Sequence, residues 1–302
     1  MKLLSWARLG YTQTSAWRYI VLNKCGRILI YLLVLIVAVI SLMPFIWTIS
    51  TSLKGTEGIM AIPPKLIPET LVWQNFQNVF SGFEGALPFV SWLINSVFLV
   101  VVNVIGETFF AAIAGYGFAR FRFRMRNFLF VCMLSSAVIP GFVMLLPQYL
   151  MFSKWHWTNT YLPLILPQWF GSMFLVFLFR QYFVTVPKSL DEAAEMDGAS
   201  HWMIFTKIIL PLSKPIISTA AVLVYMSNWN NFWGPFIFLH DIEKYTLAVG
   251  MRYMQGAINS YLLPREPLLA AYSLVMSVPV IVIFFLFQRN FVKGIQLSAS
   301  KE

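Results

Sequence analysis

Charge is what this sequence has least of: only 11% of its 302 residues are Asp, Glu, Lys or Arg, against roughly a quarter in an ordinary soluble domain. A water-soluble globule is excluded. Cysteine is nearly absent as well. Cys25 and Cys132 are the only two, and neither belongs to a pair with metal-ligand or redox spacing, so no disulfide framework is implied. His156, His201 and His240 are dispersed along the chain, and no H-E-x-x-H, G-x-S-x-G or Cys/His cluster accompanies them. An intramembrane enzyme therefore has no constellation to support it. Nor is there a G-x-x-x-x-G-K-S/T loop, so the chain lacks the backbone cradle with which a P-loop protein holds ATP.

What takes the place of charge is apolar bulk: 59% hydrophobic residues, 17% aromatic and a mean hydropathy of +0.71. Disordered chains are poor in these residues. The composition is that of a chain dissolved in lipid. A hydrocarbon core about 30 Å thick takes about 20 apolar residues per helix, each rising about 1.5 Å. Six stretches qualify, at 28–49, 93–119, 128–151, 161–184, 212–239 and 268–291. The first is longer than the apolar core of a signal peptide and is expected to remain as a span.

The net charge of +10 would suit nucleic acid if the basic residues shared a solvated face. They lie instead between the apolar stretches. Lys and Arg number five, four, four and three in alternate segments counted from the N-terminal one, and two, one and three in the segments between. The positive-inside rule then predicts six spans with both termini in the cytoplasm. The expected organisation is a cytoplasmic N-terminal segment at 1–27, a transmembrane domain at 28–291 that includes a cytoplasmic loop at 185–211, and a cytoplasmic tail at 292–302. Membrane lipid, not nucleic acid, is the expected surrounding. Pro44, Pro140, Pro147, Pro167, Pro235 and Pro279 fall inside spans. Each removes a backbone donor and tends to kink its helix, which suits a moving bundle and a static one equally.

The 185–211 loop is the most informative stretch. Ser189 and Glu192 have the spacing of a capping box, so a helix is expected to start just after Ser189. Asp191, Glu192 and Glu195 put negative charge in its first turns, where the macrodipole favours it. Ala193 and Ala194 leave its surface without bulk, and Gly198 permits a turn that a side chain would resist. A second helix over 200–210 would end before Pro211. A solvated hairpin and a surface that inserts into a cleft of another protein both fit this composition.

The loop also contains E-A-A, three residues, Gly, nine residues, I-x-L-P, met by Glu192, Ala193, Ala194, Gly198, Ile208, Leu210 and Pro211. This resembles the EAA loop of ABC importer permeases. The likeness extends to WQNFQNVF at 73–80, WLINS at 92–96, AGYGFARFRF at 114–123, WNNFWGPF at 229–236, YTLAVGM at 245–251 and FQRNFVKGIQL at 287–297, and points to maltose-type carbohydrate permeases. The first 27 residues match nothing, and the end, LSASKE, departs from the Gly-rich tail of similar permeases.

The resemblance implies an all-α polytopic protein of the type I ABC importer permease fold in a bacterial inner membrane. It also implies a set of partners: a second permease subunit forming a heterodimer, two ABC ATPase subunits and an external solute-binding protein. The carbohydrate or polyol passes between the permeases. No cofactor is expected on this chain, ATP and magnesium belonging to the ATPase. Glu192, Ala193, Ala194, Gly198, Leu210 and Pro211 are implied as the ATPase-coupling residues, with Glu192 pairing with a basic residue there. Gln255 and Gly256, in the loop expected at 240–267, are the implied binding-protein contacts.

Within the fifth stretch, Tyr225, Asn228, Trp229, Asn230 and Asn231 mix amides with aromatic rings. Amides facing lipid would lack partners, so these face the bundle interior or a hydrated path. They suit sugar hydroxyls and ring faces; interhelical hydrogen bonding is the plain alternative. Asn103 and Glu107, one turn apart on one helix face, are the other intramembrane polar pair. Glu107 gives the alternative function, a proton-coupled secondary carrier using its carboxylate as a relay, although it has no intramembrane basic partner.

Overall fold

The structure is a computed structural model that describes residues 24–55, 58, 62–63, 65–82, 87–257 and 265–299. The expected N-terminal segment up to residue 23, the tip 258–264 and the last three residues lie outside the described residues. The described residues are helical, with no strand among them. Four helices are long and apolar enough to cross a membrane, and two bent helix pairs raise the number to six if each is one span.

The chain divides into two compact units, residues 1–73 and 74–302. The first contains α1 (Lys24–Ser52), an uninterrupted apolar helix despite Pro44. At its end the Val72 N–H donates to the Leu53 carbonyl at 2.9 Å, and Lys54 sits 4.8 Å from the centroid of the Trp47 ring.

The second unit is built on α3 (Phe89–Arg120), a helix of 32 residues that follows the short α2 (Gln74–Phe80). At about 1.5 Å per residue it is longer than a hydrocarbon core is thick, and it ends on Arg120, the residue just past the apolar stretch. Packed against it are α6 (Leu162–Gly171), α7 (Met173–Thr185), α10 (Lys214–Trp229) and α12 (Leu247–Ala257). Small residues make that possible. A Cβ on Gly115 would lie 2.7 Å from Phe179 Cβ and 3.0 Å from the Arg180 nitrogen, and one on Gly106 would lie 2.1 Å from the Trp169 ring. Glycine lets helix backbones approach where any larger residue would hold them apart.

The third apolar stretch is a continuous run in sequence but two helices in space, α4 (Arg126–Ser136) and α5 (Gly141–Lys154), bent by 96°. Pro140 has no N–H to continue the ladder and holds the residue before it out of the helical region. The backbone groups at the break are satisfied locally, Ala137, Val138 and Ile139 donating to Leu134, Ser135 and Ser136 carbonyls. The fifth stretch also departs from one continuous helix. It divides at Asn230–Phe232 into α10 and α11 (Trp233–Phe238), and the expected 240–267 loop contains α12. The closing helix, α13 (Arg265–Ala299), runs beyond the expected sixth span into the residues assigned to the tail.

Candidate functional site

Two regions bring the sequence-selected residues together. The first is the 185–211 loop. Helix α8 (Ser189–Met196) starts with Asp191 and Glu192 in its first turn. The expected capping box does not form. Lys188 occupies the cap with helical backbone angles and no side-chain bond, so Ser189 already lies inside the helix, where its hydroxyl is not placed to cap. The end of α8 is a Schellman closure: the Gly198 N–H donates to Glu195 O at 3.0 Å and the Ala199 N–H to Ala194 O at 2.9 Å. That geometry needs a left-handed residue, and Gly198 supplies it at φ +81°.

Helix α9 (His201–Ile204) is capped by Ser200, whose hydroxyl accepts from the Met203 N–H at 3.3 Å. It does not stop before Pro211. It continues through a π turn, Phe205–Ile209, and a further helical turn, Leu210–Leu212. An α turn here would press the proline ring on the carbonyl four residues back, and the wider π turn relieves it. The chain then bends by 81° into α10 at Ser213, a buried residue whose hydroxyl donates to Ile209 O at 2.6 Å.

Ala194, Ile204, Phe205 and Ile209 are buried with Ala111, Tyr116, Ala119, Phe179 and Phe183, so the loop helices share one core with α3 and α7. Glu192, Ala193, Gly198 and Pro211 are exposed, Leu210 is half-buried, and Met196 is 89% exposed. Arg120, ending α3, places Nε 2.7 Å from Asp191 Oδ2 and donates through Nη2 to the Val186 carbonyl at 3.1 Å. Burial pushes the Asp191 carboxyl above its ordinary range against the pull of Arg120, with Glu195 and Glu192 adding to the rise and His201 opposing it. The sequence reading missed the Arg120–Asp191 pair; Arg120 was counted only as one basic residue of its segment.

The second region is polar and lies among the apolar helices. The Asn103 amide donates to Asn228 Oδ1 at 2.6 Å and to the Leu164 carbonyl at 3.1 Å, while Ser172 and Asn228 are the polar neighbours of the Glu107 carboxyl. Asn103, Glu107 and Asn228 are thus one cluster. Trp229 is buried apart from it, donating to Met276 O at 3.1 Å and stacked on Tyr225 with centroids 5.7 Å apart. Asn230 is exposed and donates to Met226 O.

Asn231 lines a cavity of about 540 Å³ between the α4–α5 break, α6 and α11. Gln148, Gln168 and Ser136 bring further polar groups to it, and Phe142 and Trp233 bring rings, 5.5 Å apart and edge-to-face. Gln148 and Gln168 were missed in the sequence, although the reasoning that selected Asn103, an amide inside an apolar stretch, applies equally to both. Gln255 and Gly256 lie in α12, half-buried and exposed respectively. Among the described residues no group of three or more His, Cys, Asp or Glu is placed to hold a metal ion.

Comparison with known proteins identifies the class that this bundle and its projecting loop define. The fold matches, with a TM-score of 0.79, a chain of a bacterial ABC transporter involved in the import of the acidic polysaccharide alginate. Sequence identity is 22%, with 88% of this chain and 98% of that chain covered. Residues 107–297 match the family described as the binding-protein-dependent transport system inner membrane component, and the chain belongs to that family.

Among curated relatives, it is 33% identical to the arabinooligosaccharides transport system permease protein AraQ of Halalkalibacterium halodurans, over 92% of this chain and 99% of that protein. It is 32% identical to the galactooligosaccharides transport system permease protein GanQ of Bacillus subtilis, over 90% and 94%. It is 31% identical to the sn-glycerol-3-phosphate transport system permease protein UgpE of Yersinia enterocolitica, over 82% and 87%. The chain is therefore an inner-membrane transport permease with the type I importer fold.

Proposed function

We propose that this chain is one of two permease subunits of an ATP-driven importer for a sugar or polyol. It forms half of the translocation path and is coupled through the 185–211 loop to a separate ATPase. The observation that carries the reading is the build of that loop. Two short helices are locked by a glycine turn and rooted in the core of the bundle, with Glu192, Ala193 and Met196 left on the outside. A small-residue face bearing a carboxylate fits a cleft with a basic residue, where a charge-assisted contact fixes orientation as well as affinity. The oligosaccharide permeases among its relatives support a carbohydrate cargo.

In this reading a companion permease completes a heterodimer, two ATPase subunits bind ATP and magnesium and clamp, and an external solute-binding protein delivers the cargo near Gln255 and Gly256. Both termini lie in the cytoplasm. The path is lined by Asn231 with Gln148 and Gln168, whose amides suit hydroxyl groups, and the Asn103–Asn228–Glu107 cluster and the Tyr225–Trp229 stack stand beside it. Clamping draws the loops together and opens the path outward, an alternation between two states that each ligand biases by its differential contacts. The proton-relay alternative has less behind it: Glu107 has the neutral groups of Ser172 and Asn228 as its polar neighbours.

The test is gentle affinity purification from the native membrane with identification of the bound chains. An ATPase and a second permease are expected with the unaltered protein, and less ATPase with Glu192→Lys. A lone chain, stable and inserted, would sink the importer reading.

A further inference from the structure

Arg120 and Asp191 have side chains only 5% and 13% exposed. Taking two ions out of water costs about as much as their attraction returns, so a buried pair is a poor source of stability compared with apolar packing of the same volume. What it supplies is a close charge contact between α3 and α8, made at 2.7 Å without an aligned hydrogen bond from Nε. Arg120 grips the loop at two points, the carboxylate in the first turn of α8 and the Val186 carbonyl just after α7.

Downstream, the covalent route from α8 into the membrane is indirect and changes direction at the glycine turn, the π turn and the 81° bend at Ser213. Upstream, residues 186–188 join α8 to α7, and the Val186 carbonyl that Arg120 holds lies in that link. From Arg120, by contrast, α3 is unbroken back to Asn103, a rod of about 25 Å at 1.5 Å per residue. Asn103 there holds both α6, through Leu164 O, and α10, through Asn228.

We infer that the Arg120–Asp191 pair is the strut through which displacement of α8 moves α3, so that α3 carries the coupling stroke to the path. Both are positioning residues, and the inference rests on the reading of the 185–211 loop as the ATPase contact.

The test uses the full transporter complex, with Cys25 and Cys132 replaced by serine and Asn231→Cys as a reporter in the path. Its labelling rate with a membrane-impermeant maleimide is measured without nucleotide and after trapping with ATP and vanadate. With the pair intact, trapping is expected to change the rate at least five-fold. With Asp191→Asn the change falls below two-fold while nucleotide is still trapped, and Arg120→Lys retains most of it.

Asp191→Asn leaves a buried guanidinium unpaired. The double variant Arg120→Gln/Asp191→Asn, which has no buried charge, therefore decides the matter if the single variant does not assemble. A five-fold change surviving in an assembled variant lacking the pair would overturn the strut. So would loss of the ATPase from the double variant, which would place the pair in the docking surface. Glu192→Lys separates the two claims: if that variant also keeps ATPase binding and the full change, the reading of the loop as the coupling element fails as well.

Discussion

One nitrogen of Asn103 on α3 donates to both Asn228 on α10, at 2.6 Å, and the Leu164 carbonyl on α6, at 3.1 Å. Three helices that share no sequence proximity are tied at a single side chain that is 2% exposed. Interhelical hydrogen bonds in membranes average about 0.6 kcal/mol and reach about 1.7 kcal/mol. Asn103→Leu and Asn228→Leu are each expected to lower stability by an amount in that range. A double-mutant cycle by denaturant titration in detergent should give a coupling near the lower figure; additive losses would show that the contact is energetically idle.

Close approach of α3 and α7 at Gly115 gives a second expectation. A methyl there meets Phe179 Cβ and backbone, and overpacking of this kind costs about 1–3 kcal/mol. Gly117, two residues on, has nothing within 4 Å of the same position. Gly115→Ala should therefore unfold at distinctly lower denaturant than wild type, whereas Gly117→Ala should be unchanged or slightly more stable. Equal midpoints would contradict the packing.

At Gly198 the space around a Cβ is open but φ is +81°, so the penalty is purely backbone. A left-handed conformation costs an L residue about 1–2 kcal/mol, more for a β-branched one, and least for Asn. Gly198→Val should leave the bundle folded, speed amide exchange at Ala199 at least ten-fold and reduce ATPase retention on purification. Gly198→Asn should resemble wild type. Loss of ATPase without faster exchange would place the effect elsewhere than in the turn.

The cavity at the α4–α5 break yields a transport prediction. Gln148→Leu and Gln168→Leu keep similar volume and delete the amides that face it. Each is expected to reduce uptake of the sugar that the complete transporter is found to import at least ten-fold, while the ATPase and companion chain still co-purify. Unchanged uptake would remove these residues from the path.

Asp241 gives a dependence on pH. Hydrogen bonds from Lys244 and from Asn159 hold its carboxyl below the ordinary value of 3.8. The ionised form is thus favoured in the folded loop. The stabilisation is full above the ordinary aspartate range and is lost as pH falls through the depressed value. Protection of the His240 and Asp241 amides, corrected for intrinsic exchange, should stay flat from neutral pH down to the ordinary aspartate range, fall as pH drops through it and level off below the depressed value. A fall that begins well above the aspartate range would mean that the carboxylate does not hold the loop.

Hydropathy located the four spans that are long apolar helices, at Ile28–Ser52, Phe89–Arg120, Leu162–Thr185 and Glu266–Phe287, because burial in lipid is read residue by residue. It placed the fifth at 212–239, where the bent pair runs over His201–Leu212 and Lys214–Trp229. It said nothing of the 96° break between α4 and α5. Pro140 marked a point where a helix is interrupted, but the angle is set by what α5 packs on, including Phe152 against Leu164 and Phe238. The Gly198 turn was legible because its requirement is local. The absent capping box shows the limit of local signals: Ser189 and Glu192 have the spacing, yet the helix starts early enough to place the serine inside it, and Lys188 at the cap makes no side-chain bond. Arg120–Asp191 was invisible because the partners lie 71 positions apart in sequence and each reads as an ordinary loop charge.

The Asn159 side chain, at φ +59°, accepts through Oδ1 from the His240 and Asp241 N–H groups and donates to Asp241 Oδ2, while its carbonyl accepts from Lys244. The geometry of segment 238–245 is thereby referred to a single residue some eighty positions upstream. Such a hub is asymmetric: a change at any one spoke leaves the others engaged, whereas a change at residue 159 releases them together, and no single compensating substitution among the spokes restores them. Variation in this part of the family is therefore expected to be tolerated at 240, 241 and 244 one at a time, and at 159 only when the whole arrangement is replaced.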